Sequence, residues 1–145
     1  MGFYHRQFRL FTTACLLLLG ACWQSDRGNL EGEETATPGD FRFVGRTIPC
    51  FLEVQSAESR SLRVNCFHVD GNLHIHSNRF SKMRRLRGES WVETVRREPQ
   101  VRIAIDHHIY RMRATPIEDE ILRVALLHER GYVYAWDGIT VFRFQ

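Results

Sequence analysis

Lysine is almost absent from this 145-residue chain: of 20 basic residues, Lys82 is the only lysine and all others are arginine. Schiff-base chemistry and a lysine-based phosphate loop therefore have one candidate position, and it sits in no glycine-rich loop. Net charge is scarce too, and a formal +3 is too small to make nucleic acid the leading partner. No Ser-His-Asp order, paired carboxylates or Cys-x-x-Cys spacing is legible. That argues against an enzyme using its own side chains as acid, nucleophile or redox dithiol. Long hydrophobic runs are also missing. The most apolar stretch, Leu10 to Gly20, is broken by Thr12 and Thr13. It falls well short of the ~20 residues of a permanent membrane-spanning helix. What is present, 43% hydrophobic and 26% charged residues, is the composition of one globular domain.

The N-terminal residues read as an export signal. His5, Arg6 and Arg9 precede the apolar run, with no acid among them. The run ends in Leu19-Gly20-Ala21-Cys22, which resembles the lipobox of bacterial lipoproteins: an aliphatic residue, two small residues, then Cys. The resemblance implies that residues 1–21 are removed and that Cys22 carries lipid, anchoring an exported protein that faces the periplasm. Trp23 stands where an Asp favours inner-membrane retention, which leans toward the outer membrane. The alternative is an ordinary cleaved signal with an incidental Cys. Residues 22–40 hold Asp26, Glu31, Glu33, Glu34 and Asp40 against Arg27 alone, with scattered glycines, and read as an acidic flexible tether. The folded domain is expected over residues 41–145, with 17 basic against 12 acidic residues.

Within that domain, residues 47–55 and 61–69 alternate as two strands. Folding them about Glu58 sets Val54 against Leu62, Leu52 against Val64 and Cys50 against Cys66, all on one face. Asp70-Gly71 turns into a third strand at 73–77. Ser90-x-x-Glu93 is a capping box for a helix over 91–98, stopped by Pro99. Residues 101–106 and 109–114 form a strand pair. Thr115-Pro116-Ile117-Glu118 reads as a second capping box, opening a helix to about Arg130 with Ile117, Ile121, Val124, Ala125 and His128 as its stripe and Gly131 at its end. Residues 132–136 and 139–144 close as a hairpin. The fold class expected is mainly β, a split antiparallel β-barrel of about six to seven strands with two flanking helices.

The passage from Asn78 to Ile103, with Trp91, Pro99, Val101 and Ile103, resembles the helix-to-strand passage of the split-barrel flavin and deazaflavin-dependent nitroreductase-like family. The resemblance covers roughly residues 42–145. It implies bound FMN or a deazaflavin and reduction of a small electron-poor molecule, with the cofactor carrying the hydride. It also implies a homodimer. The cofactor-binding residues it points to are Arg60, Arg63, Ser77, Lys82 and Arg84, with Trp91 lining the pocket. The family's Gly-Arg-Lys-Ser-Gly-x-x-Arg turn is here Ser56 to Arg63: Ser59 and Arg63 match, both glycines are lost and Glu58 stands in the lysine position. A carboxylate there disfavours phosphate, so the fold with its cofactor altered or lost is the alternative. A non-enzymatic envelope lipoprotein then uses the barrel for binding or assembly.

Other candidates stand beside these. Once Cys15 leaves with the signal and Cys22 takes lipid, Cys50 and Cys66 remain in an oxidising compartment, and their register predicts a structural disulfide. Two buried free thiols are the alternative. His74 and His76 face one way on a strand, a start for zinc or copper, or simply polar outward residues. Arg79, Lys82, Arg84, Arg85 and Arg87 form the densest basic run. It suits a solvated face, a flavin phosphate or anionic lipid headgroups.

Overall fold

Seven strands and two helices make up the computed structural model, which describes residues 30–54, 60–78, 89–135 and 137–145, and only the backbone of Arg60. The signal and lipobox, the tether up to residue 29, Glu58 with its turn, Trp136 and the basic run 79–88 lie outside the described residues.

Strand β1 (Glu33–Glu34) is a short edge piece. Strands β2 (Ile48–Val54), β3 (Arg60–Val69), β4 (Asn72–His76), β5 (Gln100–Ile105), β6 (His108–Pro116) and β7 (Val141–Phe144) close into an antiparallel barrel. Its order is β6-β5-β2-β3-β4-β7, and β7 pairs back onto β6. Both tight hairpins use turn residues at positive φ: Asp70 (51°) with Gly71 (77°), and Asp106 (47°) with His107 (65°). Such turns match the twist of the strands they join.

Alternation sorts each strand into an inner and an outer row. Cys50, Leu52, Val54, Cys66, Leu73, Ile75, Ile103, Met112, Phe142 and Phe144 fill the interior. Helix α1 (Trp91–Arg97) adds Trp91, Val92 and Val95 to that same cluster. Its start is as expected: the Ser90 hydroxyl accepts from the Glu93 N–H, and the Glu93 carboxylate accepts from the Ser90 N–H at 2.9 Å. Cys50 and Cys66 are bonded, with Cα atoms 5.9 Å apart.

Four expectations are corrected. The β2–β3 register is displaced by two residues: Leu52 faces Leu62, Cys50 faces Val64 and Ile48 faces Cys66, so the disulfide runs diagonally between the strands. A shift of two preserves every side chain's face, which is why the pattern was satisfied by both registers. Next, Thr115 and Pro116 do not open a helix. They continue β6 and pair with Arg143 and Phe142, because barrel closure needs that length of strand. Helix α2 is Glu120–Glu129, capped by Asp119, whose carboxylate accepts from the Leu122 N–H at 2.8 Å. Its buried row is Leu126 and Leu127, flanked by half-buried Arg123 and Arg130, while Ile121 is 83% exposed. Two arginines disguise a helical stripe because their apolar stems pack while their heads stay polar. Lastly, residues 132–135 form no strand. Both edges of β7 are already taken by β4 and β6, which leaves no edge for a hairpin partner.

Helix α2 ends in a Schellman motif: the Gly131 N–H donates to His128 and the Tyr132 N–H to Leu127. Leu126 and Leu127 then cover Phe67, Ile139 and Val141 on the outer wall. No helix among the described residues is long and apolar enough to cross a membrane.

Candidate functional site

The residues expected to hold a flavin-type cofactor divide into three groups. Arg63 is exposed on the outer face of β3, directly across from Phe51, itself 36% exposed. No ion pair engages its guanidinium among the described residues. Strand β4 runs antiparallel to β3 and leaves the sheet beyond His76, on the side of Val64 and Arg63. Lys82 and Arg84, like the Arg60 side chain, fall outside what is described.

Ser77 and Trp91 are both buried. Ser77 is 1% exposed, and its hydroxyl accepts from the Thr140 N–H at 2.9 Å and donates to the Asn78 carbonyl at 3.2 Å. With the Ser77 N–H also bonded to the Thr140 carbonyl, this side chain is spent tying β4 to the approach to β7. Trp91 is buried in the barrel core, 5.8 Å from the Phe142 ring, because as the first helical residue it faces the interior. It lines no outer surface.

The histidines are neither metal cluster nor polar exterior. His74 is 1% exposed under α2, stacked on Phe67 at 5.4 Å, and neither ring nitrogen has a hydrogen-bond partner. Burial pushes its pKa down to about 4, and the Arg143 charge adds to the shift. Arg143 stands directly across from it on β7. The His76 Nδ1 lies 2.9 Å from the Ser77 carbonyl, its Nε2 is unpartnered, and its ring meets the Tyr132 edge at 5.1 Å. Its pKa is lowered, again chiefly by burial. The Arg130 guanidinium lies over Tyr132 at 5.4 Å. Buried Nε atoms of Arg130 and Arg143 also lack partners. A buried donor or acceptor without a partner costs roughly 1–3 kcal/mol, so several in one place are a considerable burden. His68 pairs with Leu73 and so belongs to the other face, and no group of three metal-ligating side chains occurs among the described residues.

A third feature was read from the sequence as tether. Leu30 packs with Ala104 and Ile109, and β1 adds in parallel to the start of β6. Gly32 passes so close that a Cβ there would lie 2.4 Å from the His107 carbonyl oxygen, at a φ of 144°. Glu34 grips Arg111 at 2.8 and 3.0 Å and Arg102 at 3.0 Å. Arg102 in turn holds the buried Glu53 at 2.5 and 3.0 Å. These contacts, Arg111 first and then Arg102, lower the Glu34 pKa. Glu34, counted as solvated tether, is thus docked on the barrel, because the outer wall carries the arginines that match it.

No family profile matches the sequence, and a search of curated proteins finds no match. Solved structures do match. A protein of Listeria innocua described as a candidate pyridoxamine 5'-phosphate oxidase superposes with a TM-score of 0.52 at 15% identity, over 67% of this chain and 82% of that one. A NimC/NimA family protein of Clostridium acetobutylicum gives 0.46 at 17% identity, over 67% and 73%. The barrel thus shares its fold with the first of these proteins.

Proposed function

We propose that the chain is an exported protein, anchored through lipid on Cys22 in the outer membrane and facing the periplasm, whose barrel binds FMN or a deazaflavin and reduces a small electron-poor molecule. The observation that carries this reading is a barrel of the same fold as a candidate pyridoxamine 5'-phosphate oxidase, with Arg63, unpaired among the described residues, on its outer wall beside exposed Phe51. Arg63 offers bidentate hydrogen bonds to a phosphate and Phe51 an apolar platform for a planar ring. Lys82, Arg84 and Arg60 would join Arg63 around the phosphate, and two barrels would pair as a homodimer. When bound, such a cofactor supplies the hydride, while the protein positions it and balances its charge. Ser77 and Trp91 also have commitments within the fold, Ser77 to Thr140 and Trp91 to Phe142.

That commitment favours a second reading, a non-enzymatic envelope lipoprotein in which the barrel is a binding scaffold. One experiment separates the two. The full-length chain, purified in detergent, is examined by visible absorption alone and during titration with FMN and with a deazaflavin. A bound chromophore, or saturable binding that Arg63→Ala weakens about tenfold, supports the reductase reading. A folded protein that takes up neither cofactor leaves the scaffold.

A further inference from the structure

We propose that the outer wall of β4 and β7 beneath α2 is a separate binding site, in which His74 and the Arg130 and Arg143 guanidiniums hold a small oxyanion of phosphate or carboxylate type. The site is independent of the cofactor reading and stands on other residues. Arg143 and His74 are direct cross-strand neighbours on one face, and His76 follows two residues along the same row. Arg130 reaches the same region from the end of α2, over Tyr132, whose edge meets His76. Five buried nitrogens here have no partner among the described residues: both of His74, Nε2 of His76, and Nε of Arg130 and Arg143.

The charge balance points the same way. Glu34, Glu53, Glu89, Glu98 and Glu118 neutralise arginines elsewhere on the barrel, yet neither Arg130 nor Arg143 has an ion-pair partner among the described residues. Among the described residues, two cations and two imidazoles gather here with no ion-paired carboxylate, leaving donors that an acceptor from outside the chain would satisfy. A planar or tetrahedral oxyanion supplies several acceptor oxygens at once, and guanidinium groups suit either shape. Its charge also favours protonated His74, turning that ring into a double donor.

The test uses the full-length chain, isotope-labelled at histidine, in chloride buffer of constant ionic strength near neutral pH. It is titrated with inorganic phosphate and, separately, with acetate while the imidazole resonances are followed. His74→Gln and His76→Gln spectra assign the two rings. The expected result is a saturable shift of His74 and His76 that leaves the exposed His107 and His108 unmoved, weakened about tenfold or more by Arg143→Gln and by Arg130→Gln. Arg130 lies at a helix end outside the sheet, so its variant keeps the test decisive if Arg143→Gln disturbs β7. A stronger response to phosphate assigns a phosphoryl ligand, and a stronger response to acetate a carboxylate. A shift that never saturates, or one that both arginine variants leave unchanged, overturns the proposal.

Discussion

Mild acid should destabilise this protein, chiefly through one buried ring. His74 has a pKa of about 4 in the folded chain against 6.5 for a free imidazole, because burial and the neighbouring Arg143 oppose its charging. A histidine with a depressed folded pKa is protonated first in the unfolded state. Its effect is therefore absent above the unfolded value, and stability falls as pH drops from 6.5 toward 4. Linkage over that interval amounts to about 2 kcal/mol lost by about pH 5, levelling near ~3 kcal/mol below the folded value. His76, lowered in the same direction, adds to the loss. Urea midpoints in chloride buffers between neutral pH and about pH 5 measure it, with His74→Phe as the variant that keeps an aromatic ring on Phe67 and cannot titrate. The variant should lose most of the pH slope. An identical slope in both proteins would refute the argument and place the acid sensitivity elsewhere. Phosphate in place of chloride should flatten the wild-type slope, since a bound oxyanion raises the pKa of the ring beside it.

Three further outcomes are expected. Cys50→Ser with Cys66→Ser opens a ring spanning a sequence separation of 16 and should lower stability by roughly 3 kcal/mol in equilibrium urea unfolding, with wild type under reductant behaving alike. Glu34→Gln should loosen the N-terminal segment rather than the barrel: hydrogen exchange at Glu33 and Thr35 speeds up while β2–β5 protection stays. Ser77→Ala strips an acceptor from the buried Thr140 N–H and should cost about 1–3 kcal/mol by thermal unfolding, with no selective effect on cofactor affinity.

Local chemistry carried much of the architecture. Alternation of apolar residues in β2, β3 and β4, the Asp70-Gly71 turn, the Ser90–Glu93 capping box with Pro99 behind it, and Gly131 at the end of α2 all act over a few residues, so the sequence alone determined them. It determined the face shared by Cys50 and Cys66, but not their register, since alternation is blind to a slip of two. Arg63 was named from the family turn it matches, and the fold sets it on an exposed outer face. Tertiary structure decided what depends on distant partners. Closure of β6 onto β7 kept Thr115 and Pro116 in a strand and denied residues 132–135 an edge to pair with. Docking of α2 goes with a buried His74 and a half-buried His76, which the sequence places on one strand face without saying what covers it. Complementary arginines on the wall drew in Glu34 and turned part of a tether into β1. Burial, partner edges and charge pairing are properties of two segments meeting in space, and only the folded chain brings those segments together.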